Sequence, residues 1–308
     1  AAAAPRLVLG GARGQQTAAE AEEERAPRGP ALHPGLQRQH KGQDYLLAHA
    51  VYEPGDLDIQ PEHRPPQNAS DRLALAAVST MRRVFDYATG YDPEKHMTQE
   101  HWLRRVIFLE SIAGVPGMVG AMLRHLRSLR NLKRDYGWIH TLLEEAENER
   151  MHLLTSLELR RPGPFFRAFV ILGQGVFFNT YFLAYLVAPK TCHRFVGYLE
   201  EEAVRTYTHL LHDIDSGALK DWQEQPAPEL AKNYWKLREE ATMRDMFLSI
   251  RADEACHSHV NHTFSDLRDQ DLNPFDPGSH MPCMQAHGDK PLEDAPPSDS
   301  QKKVLDAF

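Results

Sequence analysis

Two copies of one short motif, Glu-x-x-His, constrain this chain more than any other feature of its sequence. Glu149 and His152 lie in a stretch of good helix formers that holds neither Pro nor Gly, and Glu254 and His257 repeat the spacing in a later segment. Residues three apart on a helix project from the same face, one turn apart. Two such pairs, with one glutamate from each of two further helices, form the dinuclear metal site of a four-helix bundle. The chain must therefore supply two more buried carboxylates.

Glu110 is the first candidate for these carboxylates, because it sits in the middle of an apolar helical run. A carboxylate in such a place is strongly unfavourable unless it is paired or ligates a metal. The second candidate belongs to the triplet Glu200, Glu201 and Glu202, among which periodicity cannot choose. Four carboxylates and two imidazoles suit iron or manganese better than a structural zinc. Most glutamates occupy solvated faces, and we predict this for three others: Glu144, Glu145 and Glu147.

The apolar periodicity is helical throughout, and the sequence holds no credible strand pattern. The predicted fold class is therefore all-α: a ferritin-like four-helix bundle with a di-iron carboxylate site, plus additional helices that form a monotopic membrane-binding face. The predicted helices span residues 71–90, 99–123, 138–160, 165–188, 191–214 and 229–265.

Composition divides the chain into three predicted parts. Residues 1–70 form a flexible N-terminal arm, 71–266 the di-iron helical-bundle catalytic domain, and 267–308 a Pro- and Asp-rich C-terminal tail. The start of the arm is rich in Ala, Gly and Arg without acids, as in the remnant of a transit peptide. The net charge of −8 argues against a general nucleic-acid binder.

The most apolar run, 165–188, is long enough to cross a bilayer, which takes about 20 residues. Glu149 precedes this run and Glu200 follows it, so a single crossing would put these two carboxylates on opposite sides of the membrane. We therefore expect a helix that lies in the membrane interface, and we expect the same of 102–123, because Glu110 lies in the middle of that run. The basic stretch 124–134 and nearby arginines would then meet anionic head groups. The alternative is that the apolar helices are buried core and the basic stretch is a solvated face.

Four motifs resemble those of the alternative oxidases, the di-iron ubiquinol oxidases of mitochondria. They are Leu109-Glu110-Ser111, Asn148-Glu149-Arg150-Met151-His152-Leu153, Leu199-Glu200-Glu201-Glu202-Ala203 and Arg251-Ala252-Asp253-Glu254-Ala255, and the resemblance covers about residues 72–266. It implies an enzyme that oxidises ubiquinol and reduces dioxygen to water without pumping protons. It also implies a homodimer bound monotopically to the matrix face of the mitochondrial inner membrane. No haem ligation motif is apparent in the sequence, so we expect cyanide insensitivity.

The resemblance also implies residue roles. Two iron ions would be held by Glu110, Glu149, His152, Glu200, Glu254 and His257. Tyr207 would be the catalytic, redox-active tyrosine, and the quinol cavity would be lined by Arg105, Leu109, Ala203 and Thr206. Residues that orient the ligands by hydrogen bonds would be Asn148, His193, Tyr234, Trp235 and Asp253. Without the resemblance, core packing would explain Tyr207 and Trp235. The chain departs from the family pattern at Cys256 and His259, where His and Asp are usual.

Three other functions use similar residues. A plastid-type plastoquinol oxidase and a di-iron quinone hydroxylase are the nearest enzymes, and a non-catalytic ferritin-like iron-binding protein is the alternative from another class. The two apolar runs at 102–123 and 165–188 weigh against soluble iron storage, which does not need lipid-suited helices.

Overall fold

The computed structural model describes residues 49–275, and every regular element within that range is an α-helix. The prediction of an all-α fold is therefore confirmed. The helices are α1 (Ala69–Thr89), α2 (Gln99–Asn131), α3 (Trp138–Leu159), α4 (Pro164–Val187), α5 (Pro189–Asp215), α6 (Lys220–Glu224), α7 (Glu229–Trp235) and α8 (Met243–Asp266).

The second helix is longer than its apolar pattern predicts. α2 begins where the Thr98 side chain accepts a hydrogen bond from the backbone N–H of His101, and it continues through the basic stretch to Leu132. Leu132 adopts a left-handed conformation with φ 51° and ends the helix. Apolar periodicity stops earlier, because the last turns of α2 carry mostly basic and exposed side chains.

The predicted helix 229–265 is wrong as a single element, because the chain breaks it into α7 and α8. Lys236 takes a left-handed conformation with φ 54° after α7. Thr242 and Asp245 then form a capping box that starts α8. The short helix α6 was not predicted. The break allows Trp235, at the end of α7, to donate from Nε1 to Asp253 of α8 at 2.9 Å.

Four long helices form the bundle, in which α2 packs along α3 and α5 packs along α8. Glycines allow both pairs to approach closely. A Cβ atom on Gly117 of α2 would lie 2.7 Å from the carbonyl oxygen of Leu142, and one on Gly197 of α5 would lie 2.5 Å from the ring of His262. Around the bundle, α1 packs against α5, and α4 packs against α2 and α5.

Helices α2 and α4 are both long and apolar enough to cross a membrane by length and composition. The most apolar window of α2 is 61% buried inside the protein, against 11% for α4. Only Tyr181 and Tyr185 of α4 are buried. Helix α2 is thus mainly core, so the expectation of an interfacial helix is wrong for 102–123, whereas α4 presents apolar side chains outwards.

The basic stretch 124–134 does not lie uniformly on the surface. Arg124 is buried, with its guanidinium 4.0 Å from the centre of the Trp138 ring and its Nε donating to Asp135 at 2.7 Å. Arg130 and Lys133 are exposed. The expectation that the basic stretch faces anionic head groups is therefore wrong at Arg124.

The described part of the N-terminal segment, residues 49–68, contacts the bundle. His49 and Tyr52 reach Asp253, and His63 reaches Glu201. The predicted transit-peptide remnant and most of the predicted tail fall in 1–48 and 276–308, which are outside the described residues. The division at residues 70 and 266 stays a prediction.

Candidate metal centre

Four carboxylates and two imidazoles meet inside the bundle, each supplied by one of its four long helices. The donor atoms form two overlapping groups whose members all lie within 4.8 Å of one another. One group is Glu110, Glu149, His152 and Glu254, and the other is Glu149, Glu200, Glu254 and His257. All six side chains are buried. The structure thus brings together every residue predicted as an iron ligand.

Helical spacing accounts for this convergence. His152 follows Glu149 by one turn on α3, and His257 follows Glu254 by one turn on α8, so each helix presents both donors from one face. Glu110 and Glu200 lie within α2 and α5, the partners of α3 and α8 in the two helix pairs.

The three glutamates at positions 200–202 each have different partners. Glu201 binds His63 and His262 at 2.6 and 2.9 Å. Glu202 accepts hydrogen bonds from Arg82 and Arg205. Glu200 alone of the three joins the buried donor group.

The buried donor atoms lack hydrogen-bond partners of their own. Within residues 49–275, no hydrogen-bond partner is found for both carboxylate oxygens of Glu149, one oxygen each of Glu110 and Glu254, His152 Nδ1 and both ring nitrogens of His257. His257 Nδ1 lies 2.7 Å from Glu149 Oε1, but the two atoms are not aligned for a hydrogen bond. Unsatisfied buried polar atoms are rare. Carboxylate and imidazole atoms converging without hydrogen bonds fit a site for metal cations.

The electrostatics of the site also favour cations. Burial raises the pKa of Glu110 to about 8, and the carboxylates of Glu149 and Glu254 act in the same direction. Burial and the neighbouring carboxylates hold the pKa of Glu200 well above its usual range. Although burial opposes it, the hydrogen bond to Asp253 and the nearby carboxylates of Glu110 and Glu149 hold the pKa of His152 well above its usual value. Positive charge is therefore stabilised here, whether as protons or as metal ions.

Asp253 is the centre of a hydrogen-bond network behind the donor cluster. It accepts from Asn148 Nδ2 at 2.9 Å and from Trp235 Nε1 at 2.9 Å, and it lies 2.9 Å from His152 Nε2. Asn148 also donates to the Tyr234 hydroxyl at 3.0 Å. The bond to Nε2 leaves His152 Nδ1 facing the carboxylates, 3.4 to 3.5 Å away. Four of the residues predicted to orient ligands thus lie in one network.

The sequence reasoning missed two members of this network, His49 and Tyr52. His49 Nε2 lies 3.0 Å from Asp253 Oδ1, and the Tyr52 hydroxyl donates to the same oxygen. Both come from the segment that we expected to be a flexible arm, and no local spacing connects them to Asp253. Their hydrogen bonds hold Asp253 Oδ1 in place, whereas the other partners of this buried carboxylate bind Oδ2.

A second chain of polar groups reaches the cluster through His193. His193 bonds the Tyr185 hydroxyl at 2.9 Å and Asn261 Oδ1 at 3.1 Å, and Asn261 Nδ2 donates to Glu145 at 2.5 Å. Glu145 is buried, so the prediction of a solvated face is wrong for this residue. Burial raises its pKa to about 7. The available signal was its position one turn before Glu149 on the same face of α3.

Tyr207 joins the cluster to an elongated cavity. Its hydroxyl donates to Glu110 Oε1 at 2.5 Å, and burial with the charge of Glu110 holds the pKa of Tyr207 well above its usual value. The cavity, of about 170 Å³, is lined mainly by apolar atoms. All four residues predicted for the quinol cavity line it: Arg105, Leu109, Ala203 and Thr206. Arg82, Phe85 and Glu202 also line it and were not predicted.

The fold and the site together define a helical bundle with a buried, oxygen-rich metal centre of the di-iron carboxylate class. Comparison with known proteins agrees with this class. The family model described as "Alternative oxidase" matches residues 54–266. The chain belongs to the alternative oxidase family.

Individual relatives support this membership. The protein named "Alternative oxidase, mitochondrial" of Emericella nidulans is 55% identical over 240 residues, which are 74% of this chain and 68% of the relative. The protein of the same name from Aspergillus niger is 49% identical over 83% of this chain and 76% of its own length. That from Yarrowia lipolytica is 50% identical over 74% of this chain and 67% of its own length. The matched segment thus spans about two thirds to three quarters of each relative.

Membership makes the chain a terminal quinol oxidase, an oxidoreductase that acts on quinol and oxygen. The relatives give no support to the other functions considered, namely plastoquinol oxidation, quinone hydroxylation and non-catalytic iron binding.

Proposed function

We propose that this chain oxidises ubiquinol and reduces dioxygen to water at a non-haem centre of two iron ions per chain, without pumping protons. For each dioxygen converted to two waters, two ubiquinols become ubiquinones and supply all four electrons and four protons. The observation that carries the proposal is the cluster of buried, unpartnered donor atoms beside an apolar cavity.

The six converging side chains are the proposed iron ligands. The Glu149 and Glu254 carboxylates belong to both donor groups, whereas Glu110 and His152 belong to one group and Glu200 and His257 to the other. When bound, iron supplies the electron transfer and dioxygen chemistry that side chains cannot provide. The protein supplies a water-excluding pocket and fixed donor positions.

The cavity is the proposed quinol site. Arg105 is buried in its wall, where it binds Asp86 at 2.5 Å and lies 3.9 Å from the centre of the Tyr91 ring. This fixed guanidinium can donate to a quinol oxygen, and Leu109 and Ala203 offer apolar contact to the ring. Thr206 already accepts from Arg82 at 3.1 Å and adds a second polar group for orientation.

Tyr207 is the proposed catalytic group between cavity and cluster. It lines the cavity, and its hydroxyl donates a hydrogen bond to Glu110. Because burial keeps this hydroxyl protonated, it can lose a proton only together with an electron or to a newly formed base. Its position therefore suits transfer between the quinol and the ligand cluster.

Five further residues are proposed to hold the ligands in place. Asp253 fixes the orientation of His152, and Asn148, Tyr234 and Trp235 fix Asp253 directly or through one another. His193 acts from the other side, since it binds Asn261, which donates to the backbone oxygen of His257 at 3.0 Å. Partners of this kind set ligand orientation in metal sites.

The proposed location is the matrix side of the mitochondrial inner membrane, with the protein bound monotopically as a homodimer. The relatives carry "mitochondrial" in their names. Glu149 and Glu200 precede and follow α4 and still share one donor group, which is incompatible with a single crossing by α4. Exposed apolar side chains on α2 and α3, among them Leu126, Leu129 and Leu143, offer a surface for a second copy of the chain.

The decisive experiment measures oxygen uptake by the detergent-solubilised protein with ubiquinol, with and without cyanide, alongside iron content. We expect cyanide-resistant uptake, with about two irons per chain. Glu149→Ala and Glu254→Ala should each abolish uptake and lower the iron content. Glu147→Ala is the matched control, because Glu147 lies on the same helix as Glu149 but pairs with exposed Arg150.

Full activity in Glu149→Ala or Glu254→Ala would contradict the proposed site. Strong inhibition of the wild type by cyanide would contradict the non-haem centre. A faster turnover of plastoquinol than of ubiquinol would change the assigned substrate.

A further inference from the structure

A second group of potential metal ligands lies outside the iron centre, at the C-terminal end of α5. Asp213 is fully buried there, and His209 and His212 lie on the same helix. His96 comes from the connection between α1 and α2. Donor atoms of His96, His212 and Asp213 all lie within 4.8 Å of one another.

Two imidazoles lie beside one oxygen of the Asp213 carboxylate, and the third, that of His212, belongs to the same group of donors. His96 Nδ1 lies 2.7 Å from Asp213 Oδ1, and His209 Nε2 lies 3.6 Å from the same atom. The His96 and His212 rings are nearly parallel, with centres 6.1 Å apart. Three imidazoles and one carboxylate are a donor set that zinc accepts in tetrahedral sites.

Two other polar atoms of this cluster are held by the protein. Asp213 Oδ2 accepts from Trp102 Nε1 at 2.9 Å and from the backbone N–H of Met97 at 3.1 Å. His209 Nδ1 binds the Tyr91 hydroxyl at 2.7 Å. Metal ligands characteristically have their second polar atom fixed in this way, so that the ligating atom faces the ion.

A purely structural role accounts for only part of this arrangement. The bonds of Asp213 to Trp102 and Met97 anchor the start of α2 on α5, and one histidine would complete that anchor. His96 supplies that histidine, and the exposed imidazole of His212, stacked on His96, is not needed for the anchor.

We propose that His96, His212 and Asp213, with His209 as the fourth donor, bind one divalent cation of the zinc class. The ion would connect the segment between α1 and α2 to the end of α5. The site is separate from the iron centre, since the two share no residue.

The test uses the iron-loaded protein, purified without a polyhistidine tag, in equilibrium dialysis against Zn²⁺. We expect one zinc per chain with no loss of iron, and an increase in the melting temperature on binding. His96→Ala and His212→Ala should each weaken binding at least about tenfold. Both side chains are exposed, so these variants should fold, whereas Asp213 variants would also disturb Trp102.

The control variants are His101→Ala and His140→Ala, which remove exposed histidines elsewhere and should leave zinc affinity unchanged. Co²⁺ is a second probe, because it should give the visible absorption of a low-symmetry, four-coordinate ion in the wild type and not in His96→Ala. Zinc uptake matched by iron loss would place the ion in the iron centre and overturn the proposal. Equal zinc affinity in the wild type and in the double variant His96→Ala/His212→Ala would overturn it as well.

Discussion

At the scale of single residues, Glu145 lies close to the iron site without being a proposed ligand. Burial raises its pKa to about 7, whereas an unfolded chain gives a glutamate about 4.3. Between these values the folded protein binds more protons than the unfolded chain. The contribution of Glu145 to the free energy of unfolding is therefore fully present below about pH 4.3, and it is lost as the pH rises from there through about 7.

This behaviour predicts a pH-dependent effect of Glu145→Gln in the iron-depleted protein. The amide cannot ionise, so the variant should gain stability relative to the wild type as pH rises from 5 to 8, by about 3 kcal/mol. Denaturant unfolding at several pH values measures this difference. Glu158→Gln is the matched control, because Glu158 is an exposed glutamate on the same helix. A difference between Glu145→Gln and wild type that stays constant with pH would contradict the prediction.

The Glu-His pairs of the iron cluster could be predicted from sequence, because residues three apart on a helix project from the same face. Glu149 with His152, and Glu254 with His257, are recognisable within one helical turn. Choosing Glu200 from its triplet needed the family resemblance, since His63 and Arg82, which bind Glu201 and Glu202, are distant in sequence. His49 and Tyr52 could not be predicted, because more than 200 residues separate them from Asp253.

At the scale of helices, the close approach of α2 and α3 sets the distance between Glu110 and Glu149. Gly117 lies at this contact, where an added Cβ would meet the Leu142 carbonyl oxygen at 2.7 Å and the Ala146 nitrogen at 3.1 Å. Backbone atoms cannot move aside as a flexible side chain can. The helices would have to separate to accept even a methyl group.

We therefore predict that Gly117→Ala lowers the free energy of unfolding by about 1–3 kcal/mol and reduces the iron content. Gly175→Ala is a control with the opposite expectation, since a Cβ on Gly175 of α4 meets nothing within 4 Å. Alanine there should raise the helix stability by about 0.5–1 kcal/mol. Denaturant unfolding of both variants in detergent measures the difference, and similar effects of the two substitutions would contradict this account.

Helix boundaries were less predictable than helix positions. The pattern predicted one helix over 229–265, because apolar residues continue through the region. The left-handed Lys236 and the capping box at Thr242 interrupt it, and these depend on local backbone energetics that periodicity does not measure. The interruption has a consequence for the site, because it places Trp235 against Asp253.

At the scale of the whole molecule, the sequence left open whether its apolar helices are core or lipid-facing. The two helices have similar composition and differ in their surroundings, since α2 is enclosed between α3, α4 and α5 whereas α4 is covered on one side only. Periodicity of a nearly continuous apolar run cannot distinguish these cases. Packing of the complete bundle decides between them.

The exposed side of α4 predicts that the protein binds lipid bilayers through this helix. Phe165 is 85% exposed, Phe169 66%, Ile171 73% and Leu172 62%. These side chains together expose a large apolar area to the solvent. Burying such a face in the membrane interface is favourable, and a charge placed on it opposes insertion. The double substitution Phe169→Asp/Leu172→Asp should therefore reduce the fraction of protein that floats with anionic lipid vesicles, by at least about tenfold.

Charge alone could weaken binding to anionic vesicles, so the control must add the same charge elsewhere. Gln60→Glu/Gln270→Glu adds two negative charges at exposed positions outside α4 and should float as the wild type does. The α4 variant should also need less detergent to remain in solution, because it exposes less apolar surface. Its iron content and its oxidase activity with a short-chain, water-soluble quinol should persist, because neither substituted side chain lines the quinol cavity. Equal flotation of the α4 variant and the wild type would exclude α4 as the membrane-binding surface.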